Sequence, residues 1–173
     1  TSIGSYAFYN CINLISIKIP DTVTTIGSYA LYNAYELKEF EFPPNIKTIS
    51  PSCLRQCKNI KSIEIPYGVT KIQSNAFDTC NGCISVSIPQ TVTSIGDYAF
   101  YAMYKLESIE IPTSITELPN QVFRSCYALT QVTIPATITS IGDRAFANCE
   151  NLMSVSFLGS KPPTYGGTST FML

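Results

Sequence analysis

Apolar positions recur along this chain every 23 residues, from its first residues to about residue 157. One column reads Ile3, Ile26, Ile49, Ile72, Ile95, Leu118, Ile141, and a second reads Phe8, Leu31, Leu54, Phe77, Phe100, Phe123, Phe146. A proline column follows at Pro20, Pro43, Pro66, Pro89, Pro112 and Pro135. No insertion interrupts the count, which marks a solenoid whose repeats pack on their neighbours and on nothing else. In the first copy the expected core positions are Ile3, Ala7, Phe8, Cys11, Leu14, Ile17, Ile19 and Val23. Ala7, Phe8, Cys11 and Leu14 follow the i, i+1, i+4, i+7 spacing of one helical face, whereas Ile17 and Ile19 alternate with Ser16 and Lys18 as in a strand. Each repeat is therefore predicted to be a short helix leading into a short strand, the strands forming a parallel ladder about 4.8 Å apart. Proline lacks an N–H and ends pairing at one register. Gly4, Gly27, Gly96 and Gly142 are expected to take positive φ before the helix begins.

Copies three apart are more alike than neighbours. Tyr29-Ala30-Leu31-Tyr32-Asn33-Ala34-Tyr35 matches Tyr98-Ala99-Phe100-Tyr101-Ala102-Met103-Tyr104, and Leu54-Arg55-Gln56-Cys57 matches Phe123-Arg124-Ser125-Cys126. This pattern reads as duplication of a three-repeat block, so an exposed feature should occur twice, 69 residues apart. The chain is expected to form a single elongated domain over 1–173, about seven repeats long. Residues 158–173 should be an irregular end or a partial eighth copy: Leu158 stands where proline is expected, and Thr170-Phe171 resembles the Ala-Phe step displaced by two. Because it opens inside a repeat, at Thr1-Ser2-Ile3, the chain is expected to be a piece of a longer protein.

Composition narrows the chemistry. A net charge of −1 with scattered Lys and Arg argues against a nucleic-acid surface, which needs a basic stripe. No apolar run approaches membrane-span length and no signal-peptide pattern is present, though in a fragment that says little about location. The chain has no histidine, no phosphate-binding Gly-rich loop and no nucleophile elbow, so it is expected to be no enzyme and to need no cofactor. Seven cysteines include Cys80-Asn81-Gly82-Cys83, with zinc-knuckle or redox spacing. The register instead places Cys11, Cys57, Cys80, Cys126 and Cys149 in one core column, Cys53 in the alanine column and Cys83 in the leucine column, as small buried hydrophobes. Bridges between adjacent copies, Cys57 with Cys80 or Cys126 with Cys149, are the alternative. No metal site is expected.

Two surfaces are candidates for binding. The outward strand positions include Lys18, Glu39, Glu41, Glu64, Ser87, Glu110 and Thr133, a hydroxyl-rich and mildly acidic face on which Glu41 and Glu64 should be neighbours. It could equally be a solvated sheet face. The other surface is tyrosine-rich: nine of eleven tyrosines fall in three columns. Tyr29, Tyr32, Tyr35 and Tyr98, Tyr101, Tyr104 would form two equivalent contact patches, since tyrosine joins a large area to a hydroxyl with few rotors. Alternatively, these rings merely cover the fold.

The unit Ile-Gly-x-x-Ala-Phe-x-x-Cys-x-x-Leu-x-x-Ile-x-Ile-Pro resembles the BspA-type subclass of leucine-rich repeats over residues 1 to about 157. Pro162-Pro163-Thr164 resembles a common ending of such arrays. The resemblance implies an α/β repeat solenoid, a right-handed coil with a parallel β-sheet on its concave face and short helices on its convex face. It also implies a non-catalytic cell-surface or secreted module that binds a protein or glycan ligand, such as extracellular-matrix or plasma proteins. A structural spacer or intracellular protein-interaction scaffold is the alternative.

Overall fold

The structure, a computed structural model, describes residues 1–167 and 169–171. Its coils lie in register: ladder partners as far as residue 157 are 23 apart, as in Ile3 with Ile26 and Val132 with Val155. Each coil contributes to two parallel ladders, not one. The first is made by the isoleucine column, as Ser2–Ile3, Thr25–Ile26, Thr48–Ile49, Lys71–Ile72, Ser94–Ile95, Glu117–Leu118, Ser140–Ile141 and Thr164–Tyr165. The second contains the predicted strands: a bridge from Ser16 to Glu39, then Ser62–Glu64, Ser85–Ser87, Ser108–Ile109, Gln131–Ile134 and Ser154–Phe157.

The first ladder breaks twice, and the residue after the isoleucine column explains both breaks. Gly27, Gln73, Gly96, Gly142 and Gly166 donate their N–H to the column carbonyl of the preceding coil at 2.8–3.0 Å. At residue 50 the serine hydroxyl takes the Ile26 carbonyl instead. At residue 119 proline has no N–H to give. The breaks lie three coils apart, so the block duplication is visible in the backbone. Prolines of the third column each open a turn that closes on the proline's own carbonyl, as in Val23 N–H to Pro20 O at 3.0 Å. Leu158, standing where proline is expected, keeps its N–H and donates it to Ile134 O at 3.0 Å, so pairing there runs one residue further.

No helix is present among the described residues. The predicted helical segment is a chain of turns, because two columns of every coil have left-handed backbone. Tyr6, Tyr29, Ser52, Asn75, Tyr98, Gln121 and Arg144 have φ of 52–60°, and Asn10, Asn33, Gln56, Thr79, Ala102, Ser125 and Asn148 have φ of 54–63°. A left-handed residue at every fourth position stops an α-helix. Short bonds such as Ala34 N–H to Leu31 O, at 3.1 Å, close the turns. Alternate amides instead run along the axis: Tyr29, Leu31 and Asn33 donate to Pro51, Cys53 and Arg55 of the next coil, each at 3.0 Å. These axial bonds take the place of helical ones and offset strain of about 1–2 kcal/mol per left-handed residue. The expected α/β class, with short helices on a convex face, is thus corrected to a parallel β-solenoid of about seven turns. The reason given for the glycine column is corrected too. Gly68, at φ 97°, is the only positive-φ glycine among the described residues. Gly27, Gly96 and Gly142 are small because a Cβ would stand 2.4–2.6 Å from the backbone nitrogen of Ser5, Ser74 or Asn120 in the preceding coil.

The core is a set of continuous rows. Phe77, Phe100, Phe123 and Phe146 stack at centroid separations of 5.4–5.5 Å and are fully buried. Phe171 continues the stack at 5.3 Å, while Phe146 N–H donates to Thr170 O at 2.9 Å; the displacement by two residues is accommodated as the start of an eighth turn. Thr168, Met172 and Leu173, at the expected irregular end, lie outside the described residues. In the first coil Ile3, Phe8, Leu14 and Ile17 are only half-buried, because one neighbour covers them where inner coils have two.

Candidate binding surfaces

On the strand face the alternation is as predicted, and Lys18, Glu39, Glu41, Glu64, Ser87, Glu110 and Thr133 all point outward and are exposed. The structure brings some of them together. Glu39, Glu41 and Glu64 line a depression of about 670 Å³ with Lys38 and Lys61, and a second of about 330 Å³, lined also by Lys18 and Asp21, adjoins it at Glu39, Phe40 and Glu41. Phe40 and Phe42, meeting edge to face at 4.8 Å, form the floor of the second. None of the three glutamates nor Lys18 joins an ion pair within 4 Å among the described residues. Ser87 pairs with Glu64 in register, yet it and Glu110 and Thr133 lie outside both depressions.

The turn arc carries the tyrosines. One column, unrecognised as a unit in the sequence, reads Tyr9, Tyr32, Arg55, Asp78, Tyr101, Arg124, Ala147. Stacking turns it into a chain of contacts: Tyr9 on Tyr32 at 5.0 Å, Arg55 over the Tyr32 ring at 5.7 Å, Arg55 Nε to Asp78 Oδ2 at 2.8 Å, and Arg124 over the Tyr101 ring at 5.8 Å. The Arg55–Asp78 contact is an ion pair. Thr79 Oγ1 donates to Asp78 Oδ1 at 2.6 Å. Burial pushes the Asp78 carboxyl above the usual carboxylate range, and the Thr79 hydrogen bond and Arg55 charge only partly oppose it.

The two tyrosine triplets have different surroundings. Tyr29 and Tyr32 stack on Tyr6 and Tyr9, each pair at 5.0 Å, and Lys58 Nζ sits 4.3 Å from the centre of the Tyr35 ring. Gln56 links the Tyr32 and Tyr35 hydroxyls at 3.3 Å each. In the second triplet Tyr98 meets Tyr101 edge to face at 5.8 Å, and Tyr104 stacks on Tyr127 at 4.9 Å. Gln121 Nε2 donates to the Tyr98 hydroxyl at 2.6 Å, and the Arg124 guanidinium donates to Gln121 Oε1 at 2.6 Å. Burial, then the neighbouring Tyr127 and Tyr101, raises the Tyr104 phenol above its ordinary pKa. Tyr104 is 40% exposed, the most accessible of the six.

All seven cysteines are free, and all but the half-buried Cys11 are buried. Four of the column thiols do more than fill space. Cys57, Cys80, Cys126 and Cys149 donate S–H to the carbonyls of Leu31, Leu54, Phe100 and Phe123, in the coil before, at 3.0–3.4 Å. Burial pushes the Cys53 thiol up to about 12 and those of Cys83 and Cys149 up to about 11, which suppresses the nucleophilic thiolate. Among the described residues no group of three or more His, Cys, Asp or Glu side chains could hold a metal ion, and no helix is long and apolar enough to cross a membrane.

Three solved bacterial proteins share this architecture. A leucine-rich repeat protein of Bacteroides ovatus is 35% identical over 90% of this chain, with a TM-score of 0.86, and this chain spans 40% of it. The T. pallidum leucine-rich repeat protein is 25% identical over 87% of the chain and 71% of its own length, with a TM-score of 0.80. One from Eubacterium ventriosum is 26% identical over 90% of the chain and 52% of its own length, with a TM-score of 0.66. No curated protein matches the chain. The BspA type leucine-rich repeat region matches residues 1–83 and 49–171 in six copies, and the chain belongs to that family.

Proposed function

We propose that this segment is a non-catalytic protein-binding module, carried at a cell surface or secreted, that engages an extracellular-matrix or plasma protein through the tyrosines of its turn arc. Membership of a leucine-rich repeat family supports the interaction role. The observation that carries the choice of surface is the grouping of Tyr98, Tyr101, Tyr104 and Tyr127 on adjacent coils, with an exposed ring at Tyr104. Aromatic side chains that keep a polar tip are favoured in interfaces. A glycan ligand would instead suit the strand-face depressions, where unpaired glutamates and lysines can meet hydroxyls. The test is capture of immobilised matrix and plasma proteins by the wild type and by a Tyr98→Ser, Tyr101→Ser, Tyr104→Ser variant with a cooperative unfolding transition. Capture should weaken at least about tenfold; equal capture refutes the reading. The seven free thiols favour the spacer or intracellular-scaffold alternative, since exported proteins tend to oxidise theirs. Recovery of the protein outside the cell would decide against it.

A further inference from the structure

The duplicated block has left one cation without its counter-ion. Arg55 and Arg124 are equivalent, three coils apart, and each lies over the tyrosine before it in the column, at 5.7 and 5.8 Å. Arg55 is neutralised by Asp78 of the next coil at 2.8 Å. The corresponding residue after Arg124 is Ala147. Among the described residues Arg124 joins no ion pair, and its hydrogen bond goes to the neutral Gln121. A partly buried guanidinium held on an aromatic face, with donors unused, is a receptor for a carboxylate.

We propose that the outer guanidinium nitrogens of Arg124 receive an aspartate or glutamate side chain from a polypeptide partner, supplying the charge that Asp78 supplies to Arg55. This rests on the protein-binding reading above and names the chemistry of the partner. Two observations favour a peptide over an acidic sugar. Tyr104 and Tyr127 stack face on face along the axis at 4.9 Å, and Tyr101 has Arg124 over its ring, so the arc presents ring edges and hydroxyls more than open faces. Sugars seek open faces, whereas edges and hydroxyls suit peptide groups. The Arg55–Asp78 pair also shows that an aspartate borne on a polypeptide meets this guanidinium when both sit on the arc.

The test uses fluorescein-labelled deca-glutamate, followed by anisotropy in low salt, with a hyaluronan oligosaccharide as the sugar-borne carboxylate. Wild type should bind one deca-glutamate. Arg124→Gln should weaken this tenfold or more, and so should Ala147→Asp, which supplies the missing counter-ion from within the chain. Asp78→Ala should raise the stoichiometry to two by freeing Arg55. If Ala147→Asp does not fold, Arg124→Gln and Asp78→Ala decide the matter. Unchanged affinity in Arg124→Gln overturns the proposal, as does hyaluronan binding of equal strength and equal dependence on Arg124. Loss of matrix-protein capture by the tyrosine variant is a separate readout. If that capture survives while deca-glutamate binding ignores Arg124, only the anion site falls; if capture never depended on the tyrosines, the broader reading falls.

Discussion

Residues 26–94 and 95–163 are two copies of one three-coil block, and they have kept their backbone while changing partners on the surface. Both interrupt the first ladder at the same place, Ser50 in one and Pro119 in the other. Both send a cysteine S–H to the preceding coil, Cys57 at 3.3 Å and Cys126 at 3.4 Å. Both lay an arginine over a tyrosine. Yet Asp78 answers to Ala147, and Lys58, which covers Tyr35, answers to Tyr127, which covers Tyr104. The backbone resists change because its hydrogen bonds tie each coil to the next, so an altered turn would have to alter its neighbours as well. A side chain on the arc touches a few side chains of its own and adjacent coils, and single substitutions suffice to change its chemistry.

Alkali should separate the blocks most strongly. The first contains Cys53, Cys57, Cys80 and Cys83; the second contains Cys126 and Cys149. Folded-state burial raises these thiols, to about 12 at Cys53 and about 11 at Cys83 and Cys149. The unfolded chain ionises near 8.5, so stability is intact below that pH and is lost as pH climbs toward the folded values. At pH 10 each buried thiol costs about 2 kcal/mol, nearly twice as much in total for the first block as for the second. Urea unfolding at pH 8 and pH 10 should show a steep loss, and replacing Cys53 and Cys83 with alanine should remove about 4 kcal/mol of it. An alkaline loss unchanged by those replacements would show that the thiols are not what the folded state protects.

A smaller contrast lies between the two arginines. Arg55→Gln leaves Asp78, about 4% exposed at its side chain, without its cation, and should cost about 1–3 kcal/mol. Arg124→Gln strands no acid and should stay within about 0.5 kcal/mol. Burial already raises Asp78 even with Arg55 present, and removing the cation raises it further. The Arg55→Gln defect should therefore shrink as pH falls and the carboxyl becomes neutral. Thermal unfolding at pH 7 and pH 4.5 would show this, and a defect that grows on acidification would contradict it.

How much of this was legible in the sequence follows from which features repeat. The period, the stacked phenylalanines, the outward strand columns and the buried cysteines all follow from an unbroken count of 23. The helix did not survive, because Ala7, Phe8, Cys11 and Leu14 have helical spacing that linked turns with the same inward positions reproduce. A signal was present in the other residues. Asn10, Asn33, Asn75 and Asn148 occupy the left-handed columns, and asparagine tolerates that backbone far better than most residues. The ladder of the isoleucine column was hidden because two residues per coil are too few for strand alternation to register. On the candidate surfaces, the outward positions were readable but their grouping was not. Glu39, Glu41 and Glu64 share a depression that Ser87, Glu110 and Thr133 do not reach, which depends on local shape and not on register. The Arg55–Asp78 pair could have been found by reading one column from Tyr9 to Ala147, since stacking makes every such column a row of contacts.

The mildest contrast is the exchange of covers over Tyr35 and Tyr104. Lys58 lies over the first as a cation on a ring, worth about 0.5–1 kcal/mol at an exposed site. Tyr127 stacks on the second, worth about 0.5–1.5 kcal/mol beyond the area it buries. Since the two covers are of similar strength and occupy equivalent backbone positions, Lys58→Tyr and Tyr127→Lys should each shift stability by no more than about 1 kcal/mol. Their effect on the phenol is larger in kind. Tyr104 is held above its ordinary pKa by burial and then by Tyr127 and Tyr101. A lysine at residue 127 removes one of those influences and puts a positive charge beside the ring, which favours the phenolate. Spectrophotometric titration of the tyrosines should show one phenol ionising at lower pH in Tyr127→Lys and no such change in Lys58→Tyr. An unmoved titration in Tyr127→Lys, with circular dichroism showing the fold intact at the same pH, would mean that the stacked pair opens in solution, and the two triplets would then be more alike than their contacts suggest.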